Sequence, residues 1–238
     1  MLLFYVRHGD PIYNPDSLTP LGERQAEAVA HRLSLYGIDR IFVSSSNRAM
    51  QTAAPTAQIT KKEPVVLDWC NESYAWRDFT VKTETGKDTW CFQHEPTRAL
   101  FASPEMTRLG DDWPSHPFFA GRAFGEGIRR YREKTDEFLA SLGYRHDRAS
   151  HTYTAVAPND ERVALFAHQG FGLVFLSTVL DIPYPAFCTH FDIAHSSVSV
   201  IEFATHSGVC IPQMLSFSND SHLYRDGLPT CFQNRLYF

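Results

Sequence analysis

The chain has 238 residues, 43% of them hydrophobic, so it can form a substantial apolar core without disulfides or structural metals. Its 22 Lys and Arg against 27 Asp and Glu residues give a net charge of −5, which argues against nucleic acid or an anionic membrane as a partner. The five cysteines are odd in number and lack a CxxC pair, which is typical of reduced, structural cysteines.

The first residues show neither a basic segment followed by an apolar core nor a long apolar stretch. We therefore expect no signal peptide and no transmembrane helix, and a cytoplasmic protein. The oligomeric state is left open, with a homodimer as one option.

The first apolar run, Leu2–Val6, predicts a buried strand that ends at Arg7-His8-Gly9. An arginine, a histidine and a glycine at the carboxyl end of a strand favour an anion site, because ligands bind at that edge of an open α/β sheet. A neutral imidazole can also attack phosphorus and hold the phosphoryl group covalently. The triplet alone is weak evidence, since it also fits a solvated Arg beside a partly buried His.

A helix is predicted next, with Thr19 as its N-cap, Pro20 at its first position and Glu23 near the capping-box place. It should run to about Tyr36, with Gly37 just past its end. This is the first helix of a repeating strand and helix pattern.

The second strand, Ile41–Val43, leads through Ser44-Ser45-Ser46 into a helix over about 47–59. Free N–H groups and the helix dipole favour an anion at such a helix start. Arg48 lies in the first turn and adds a forked, permanently charged donor. Pro64–Leu67 predicts a third strand.

Residues about 73–122 break this pattern as a long, irregular insert. Such an insert is usually a lid or a specificity element, so we expect a cap over the active site. Its aromatic residues either contact substrate or simply pack the insert onto the body, and we expect Trp76 and Trp113 to contact substrate. The aromatic set comprises Trp76, Phe79, Trp90, Phe92, Trp113, Phe118 and Phe119.

The second half returns to alternating elements, and His168 lies between a strongly apolar strand and a helix. The predicted elements are a helix over Gly125–Leu142, a strand over Arg162–Ala167, a helix over about Phe171–Leu180, and strands over Ser197–Phe203 and Gln213–Phe217. Alternating strands and helices imply a three-layer α/β/α fold with a mostly parallel sheet, in one domain over 1–238.

Three predicted strand ends thus present Arg7 with His8, then Arg48, then His168. A lone histidine after a strand is more often structural. Two histidines at strand ends together with two arginines favour a site for an anion such as phosphate.

At this point the motifs resemble those of the histidine phosphatase superfamily, in the branch that includes cofactor-dependent phosphoglycerate mutase. The resemblance covers nearly the whole chain except the insert. It rests on Arg7-His8-Gly9-Asp10 with Asn14, Leu18-Thr19-Pro20-Leu21-Gly22, Ser44 to Ala53, Ala167-His168-Gln169-Gly170, and Ser218-Asn219-Asp220-Ser221-His222-Leu223.

This resemblance implies that His8 becomes phosphohistidine. Arg7, Arg48 and His168 would then neutralise the phosphoryl oxygens, and Asn14 would add a hydrogen bond. No metal and no other cofactor is implied.

The resemblance also implies a glutamate shortly after the third strand as general acid, and Glu72 is in the right place. Asp78 and Asp10 remain alternatives. Asp10 departs from the Glu or Gln usual at its position in this branch. Gln169 replaces the more common Gly, so its side chain must point away from the phosphate or touch substrate. Pro11-Ile12-Tyr13 and Gln169 disfavour the other branch, which contains acid phosphatases and phytases.

These observations predict a metal-independent phosphatase acting on a small organic phosphate monoester with an aromatic or apolar leaving group. A phosphoglycerate mutase-type phosphotransferase is the alternative, but it needs a basic pocket and the insert carries more acidic than basic residues. A catalytically silent module that binds phosphorylated ligands is the third interpretation.

Overall fold

The computed structural model describes residues 1–230, in which strands and helices alternate along much of the chain. The strands are β1 (Leu2–Arg7), β2 (Pro11–Tyr13), β3 (Asp16–Leu18), β4 (Arg40–Ser44), β5 (Pro64–Leu67), β6 (Thr80–Lys82), β7 (Asp88–Trp90), β8 (Tyr144–Asp147), β9 (Thr152–Ala155), β10 (Arg162–Ala167), β11 (Val198–Glu202), β12 (Thr205–His206), β13 (Val209–Cys210) and β14 (Gln213–Asn219). The α-helices are α1 (Pro20–Tyr36), α2 (Asn47–Thr60), α3 (Glu72–Phe79), α4 (Glu95–Phe101), α5 (Pro104–Leu109), α6 (Phe124–Ser141), α7 (Gln169–Val179), α8 (Tyr184–His190) and α9 (Ser221–Arg225).

The central sheet has the strand order β14-β11-β1-β10-β4-β5. β1, β10, β4 and β5 run parallel to one another, whereas β11 is antiparallel to both β1 and β14. The mostly parallel sheet predicted from the sequence is therefore confirmed.

Side chains of β1 alternate between two apolar layers, as the pleat of a strand requires. Leu3 and Tyr5 belong to the large core cluster that includes residues of α6 and α7. Phe4 and Val6 face a second cluster formed with α1 and α2. Helices thus cover both faces of the sheet, which confirms the three-layer architecture.

The first helix begins and ends where its sequence predicted. The Thr19 hydroxyl accepts a hydrogen bond from the Gly22 amide, and Pro20 occupies the first turn. Gly37 follows the helix with a φ of 74°, a left-handed conformation that glycine adopts without strain. The caps of α1 were predictable because each depends on one residue type at one position.

The segment 73–122 is more regular than predicted: it contains most of α3, the β6–β7 hairpin, α4, α5 and short 3₁₀ turns. Its Phe79, Phe92 and Trp113 belong to the same core cluster as Tyr5 of the central sheet. The insert is therefore packed onto the body by most of its aromatic side chains. The expectation of an irregular segment was wrong because these elements are too short to show a clear period.

Cys70, Cys91, Cys188 and Cys210 are free thiols, as predicted, and Cys231 lies outside the described residues. Among residues 1–230, we find no helix with both the length and the apolar character to cross a membrane.

Candidate active site

The three predicted strand ends meet at one edge of the sheet. β1, β10 and β4 are parallel neighbours, so their carboxyl ends lie side by side. His8 follows β1, His168 follows β10 as the N-cap of α7, and Arg48 lies in the first turn of α2 after β4. This register brings one arginine and two histidines together from positions 40 or more residues apart.

His8 is buried, and its ring is oriented by the backbone. Its Nδ1 lies 2.7 Å from the Gly9 carbonyl oxygen, which can only accept, so Nδ1 carries the proton. The Nε2 atom of His8 is then unprotonated, and its lone pair accepts a hydrogen bond from Arg48 Nε at 3.3 Å. Burial, followed by the neighbouring His168 and Arg7, holds the pKa of His8 well below its usual value. His8 is therefore a neutral imidazole whose Nε2 carries the lone pair.

Two glycines allow the loop after β1 to pass close to the start of α1. A Cβ on Gly9 would lie 2.6 Å from the Gly22 carbonyl oxygen, and a Cβ on Gly22 would lie 2.2 Å from the Asp10 carbonyl oxygen. The Gly9 amide donates to Thr52 Oγ1 at 3.0 Å, which ties this loop to α2. The backbone that orients His8 is thus held on both sides.

Arg48 connects the two histidines through its guanidinium group. Its Nε donates to His8, its Nη2 lies 3.2 Å from His168 Nδ1, and its Nη1 donates to Asp16 Oδ1 at 2.7 Å. Asp16 also accepts from the Asn47 amide at 2.7 Å, which holds the carboxylate at the start of α2. The ion pair with Asp16 holds the guanidinium where it reaches both imidazoles.

The contact with Arg48 also determines the tautomer of His168. Since a guanidinium only donates, Nδ1 of His168 accepts, and the neutral ring carries its proton on Nε2. That Nε2 lies 2.8 Å from Ser44 Oγ and 3.2 Å from Ser46 Oγ. Burial, then Arg48 and Arg7, lowers the pKa of His168 well below its usual value.

Arg7 is buried and is held by a loop that the sequence did not indicate. Its Nη1 donates to the Ile193 carbonyl oxygen, and its Nη2 lies 2.7 Å from His195 Nε2. His195 therefore accepts from Arg7, and burial together with Arg7 and Arg48 lowers the pKa of His195 to about 3. Burial lowers the pKa of Arg7 to about 10, opposed by Asp192, so Arg7 is still cationic at neutral pH. The Nε of Arg7 has no hydrogen-bond partner among residues 1–230.

Glu72 begins α3 and faces the two histidine-bearing strand ends. Its Oε1 accepts from the Gly170 amide at 2.8 Å, in the first turn of α7. Its Oε2 is buried, lies 3.6 Å from His168 Nδ1, and has no hydrogen-bond partner within the described part of the chain. Oε1 is thus anchored by the Gly170 amide, and Oε2 is available for a contact with a ligand.

The two alternative carboxylates lie elsewhere. Asp78 is buried between Arg77 and Arg130 in ion pairs. Asp10 accepts from the Thr19 hydroxyl at 2.7 Å. Neither lines the cavity that contains His8, whereas Glu72 does.

This catalytic cavity has a volume of about 560 Å³. Trp76 and Trp90 form one wall as an edge-to-face pair with ring centroids 5.0 Å apart. The lining residues are Arg7, His8, Tyr13, Arg48, Asn71, Glu72, Ser73, Trp76, Trp90, Gln93 and Gln169.

Three residues predicted to contact substrate differ in where they lie relative to the cavity. Trp113 is 0% exposed and packs against Phe119 with ring centroids 4.8 Å apart, so its expected contact with substrate was wrong. Asn14 is exposed on the turn between β2 and β3 and is not part of the cavity lining. Gln169 lines the cavity, and its side-chain amide nitrogen donates to Asp192. Trp113 and Asn14 therefore do not line the cavity, because the first is buried in the core and the second lies on a solvent-facing turn.

Sequence reasoning missed His195 and Gln93, and it named Trp90 only as one of the insert's aromatic residues. Trp90 and Gln93 lie in the insert, whose path the sequence did not indicate. His195 follows no strand or helix, so no periodic pattern marks it. Among residues 1–230 no group of three or more His, Cys, Asp or Glu side chains is arranged to hold a metal ion.

Comparison with known proteins matches this site to one family. Residues 3–99, which include Arg7, His8, Arg48 and Glu72, match the family model described as histidine phosphatase superfamily (branch 1). His168 lies beyond the matched segment. No curated protein sequence matches the chain at a significant level.

Solved phosphatase structures share the fold. One is phosphoserine phosphatase from Entamoeba histolytica in complex with 3-phosphoglyceric acid, with 20% identity, coverage of 93% of this chain and 98% of that chain, and a TM-score of 0.58. Another is mycobacterial glucosyl-3-phosphoglycerate phosphatase in complex with VO3, with 19% identity, coverage of 91% and 98%, and a TM-score of 0.56. At these identities the likeness shows the fold alone.

Proposed function

We propose that this chain, which belongs to the histidine phosphatase superfamily, hydrolyses a small organic phosphate monoester through a phosphohistidine formed on His8. The observation that carries the proposal is the state of His8: a buried neutral imidazole whose Nε2 lone pair faces Arg48. A nucleophile next to fixed cations is what phosphoryl transfer requires, because positioning and charge stabilisation do most of the catalysis. In this proposal the reaction needs no metal, since Arg7 and Arg48 supply the positive charge.

In the first step, the His8 Nε2 lone pair attacks phosphorus, and the N–P bond forms as the bond to the leaving oxygen breaks. Glu72 gives its proton to that oxygen, which leaves as a neutral alcohol. In the second step, a water molecule attacks phosphorus, its proton passes to Glu72, and the N–P bond breaks. His8 and Glu72 are then restored, and the products are the alcohol and inorganic phosphate.

The protonation of His168 should change when a phosphate ester enters. In the structure its Nδ1 only accepts, which would repel a phosphate oxygen. A phosphate dianion beside the ring raises the pKa of His168, because an opposite charge favours the protonated form. Nδ1 can then donate to the phosphoryl group while Nε2 keeps its contact with Ser44.

The insert is proposed to cap this pocket through Trp76 and Trp90. Trp76 is 40% exposed and lies on the cavity wall, unlike Trp113. We expect Trp76→Ala to lower kcat/KM for phenyl phosphate by roughly tenfold, from the apolar contact that it loses.

The lining favours a phosphatase over a mutase. Arg7 and Arg48 are the only Lys or Arg side chains that the described part of the chain places on the cavity wall, and both belong to the phosphoryl site. Arg130 of α6 does not line this cavity and is paired with Asp78. A mutase would need a further cation for the carboxylate of its substrate.

The test is hydrolysis of p-nitrophenyl phosphate in the presence of a chelator, with a search for acid-labile label on His8. We expect phosphate release and label in the native chain, and neither in His8→Asn. His31→Asn, a change at an exposed histidine on α1, is the matched control and should keep full activity.

Two results would reject the proposal. Binding of the ester without label or turnover would indicate a silent binding module. Efficient exchange of 3- and 2-phosphoglycerate, dependent on 2,3-bisphosphoglycerate, would indicate a mutase.

A further inference from the structure

A second cavity adjoins the catalytic cavity and shares residues with it. This side cavity has a volume of about 580 Å³, and Gln93 and Gln169 line both spaces. Gln169 lies between His168 and Gly170, whose amide holds Glu72. A leaving group whose oxygen is protonated by Glu72 therefore begins next to Gln169 and can extend past it into the side cavity.

The side cavity contains a fixed cationic donor. Arg98 of α4 donates from Nη1 to the Phe92 carbonyl oxygen at 2.8 Å and from Nη2 to the Thr189 carbonyl oxygen at 3.0 Å. These bonds hold the guanidinium between the insert and α8 while using two of its five N–H groups. The remaining N–H groups can serve a ligand without further ordering of the side chain.

The same cavity contains oriented acceptors. Asp192 uses its Oδ1 to accept from the Gln169 amide nitrogen and from the Ile193 amide, the latter at 2.7 Å. Its Oδ2 and the Gln169 Oε1 are then the atoms of this pair left for a ligand. The buried hydroxyl of Thr189, on the same wall, has no hydrogen-bond partner among residues 1–230.

The donors and acceptors of the side cavity favour one chemical class of ligand. The charges of Arg98 and Asp192 oppose each other, so a second anionic group would gain from one and be repelled by the other. A wholly apolar group would leave these donors and acceptors without water or partner. Hydroxyl groups both donate and accept, and they match every polar atom described. Phe191, which is 42% exposed, offers an apolar surface to the carbon side of such a ligand.

We propose that the side cavity binds the hydroxyl-rich end of the leaving alcohol, so that the preferred substrate is a sugar or polyol phosphate. The inference rests on the proposed phosphatase function and replaces the expectation of an aromatic or apolar leaving group. Trp76 and Trp90 then border the first part of the leaving group, and Arg98 and Asp192 bind its far end.

The experiment compares glucitol 6-phosphate with phenyl phosphate as substrates of the native chain, Arg98→Met and Gln93→Ala. We expect Arg98→Met to lower kcat/KM for glucitol 6-phosphate about tenfold, the loss typical of a hydrogen bond to a charged group, and to change phenyl phosphate less than twofold. Gln93 is exposed, so Gln93→Ala should fold normally; because it lines both cavities, it should lower the rate for both esters, with the larger loss, roughly threefold, for glucitol 6-phosphate. Arg108→Met, at an exposed arginine on α5, is the matched control.

A parallel measurement separates this inference from the proposed function. Calorimetry on His8→Ala measures binding of both esters without turnover, with and without Arg98→Met. A selective loss of glucitol 6-phosphate affinity would support the side cavity even if no hydrolysis were found. Equal effects of Arg98→Met on both esters would overturn it. So would an affinity of His8→Ala for glucitol 6-phosphate that is no greater than its affinity for ethyl phosphate.

Discussion

Two buried histidine clusters in this molecule have opposite electrostatic surroundings. The active-site cluster comprises Arg7, His8, Arg48, His168 and His195. The distal cluster lies where β8 meets the ends of α6 and α7, and comprises Asp136, His146, Arg148 and Asp181.

In the active-site cluster, arginine side chains donate to imidazole nitrogens. Burial disfavours the charged ring, and nearby guanidinium groups add to this effect, so the pKa of each of the three histidines lies below its usual value. The rings are kept neutral and can accept protons or attack phosphorus.

In the distal cluster, carboxylates bind both nitrogens of one ring. His146 Nδ1 lies 3.0 Å from Asp136 Oδ1, and Nε2 lies 2.6 Å from Asp181 Oδ2. Burial lowers the pKa of His146, but the two hydrogen bonds to carboxylates outweigh burial and raise it overall. Arg148 binds the same two carboxylates at 2.8 and 3.0 Å. Burial lowers the pKa in both clusters, so the partners decide the net direction: guanidinium groups add to the lowering in the active-site cluster, and carboxylates reverse it in the distal cluster.

The largest effect should come from removing the cation that joins the active-site cluster. Arg48→Met keeps most of the side-chain stem but loses the donors to His8 and His168. We expect kcat to fall by about 10²- to 10³-fold, as for loss of a charge-stabilising donor, and the pKa of both histidines to rise toward 6.5. Steady-state kinetics and histidine NMR titration measure the two effects.

Arg132→Met is the control for that change, because Arg132 forms an ion pair with Asp111 and does not line the catalytic cavity. Activity within twofold of the native value is expected for it. If Arg48→Met left both histidine titrations unchanged, burial and the other neighbours would account for the lowered pKa values, and Arg48 would contribute nothing to them.

The second effect concerns stability and should leave catalysis untouched. His146→Leu removes the ring that Asp136 and Asp181 share, and Arg148 remains as their only cation within the cluster. We expect the free energy of unfolding to fall by about 2 kcal/mol, because a buried, charge-assisted pair loses one partner. Urea unfolding measures this change, and kcat per folded molecule should stay the same.

His151→Leu provides a matched comparison. The His151 side chain is 57% exposed and lies 3.5 Å from Asp181, so it is peripheral to the same carboxylate. We expect a change within about 0.5 kcal/mol, which is typical of surface positions. Equal destabilisation by both variants would mean that the buried position of His146 adds nothing to the free energy of unfolding.

The third effect is a pair of opposite pH dependences. The raised pKa of His146 gives a contribution to stability that is complete below pH 6.5 and is lost as the pH rises through the folded-state pKa above that value. The lowered pKa of the active-site histidines means that the unfolded chain binds more protons below pH 6.5, so they reduce stability as the pH falls from there.

Unfolding of the native chain and His146→Leu between pH 5.5 and 8.5 tests this sign. The native chain should lose stability on both sides of about pH 6.5. In His146→Leu, the free energy of unfolding should no longer fall as the pH rises above about 6.5, but it should still fall as the pH drops below that value. An unchanged alkaline decline in the variant would assign it to other groups.

The sequence predicted those parts of the molecule that follow from periodic elements and single-residue caps. Runs such as Leu2–Val6 and Arg162–Ala167 predicted adjacent buried strands, and parallel pairing then brings the residues after them together. Thr19 and Gly37 predicted both ends of α1. These signals are local, so one sequence was enough to find His8, Arg48 and His168.

The rest depends on packing between distant segments. Aromatic rings in the insert have the same composition whether they line a cavity or fill the core, so Trp76 and Trp113 could not be told apart. β8 and β9 are four residues long and partly polar, which gives no clear period for the distal cluster. His195 lies on an irregular loop, and only the folded chain shows that it accepts from Arg7.

The smallest effect should come from that loop residue, which we interpret as a positioning residue for Arg7. His195→Leu removes the acceptor 2.7 Å from Arg7 Nη2, and Arg7 Nε already lacks a partner among residues 1–230. The Ile193 carbonyl would then be the remaining anchor of the guanidinium. We expect kcat/KM to fall about tenfold, mainly through kcat, because in the proposed mechanism Arg7 must be correctly placed to stabilise the charge of the transferring phosphoryl group.

His195→Gln separates positioning from simple packing, since its side-chain oxygen can accept from Arg7 in place of the imidazole. Its kcat/KM should recover to within about threefold of the native value. Both variants should affect glucitol 6-phosphate and phenyl phosphate equally, because in the proposed mechanism Arg7 binds the phosphoryl group that the two esters share. The native pH profile should show no ionisation of His195 above pH 5, since its pKa of about 3 keeps Nε2 an acceptor throughout. Absence of recovery in His195→Gln would show that His195 acts through packing and not as an acceptor for Arg7. A loss confined to one ester would show that the loop acts on the leaving group.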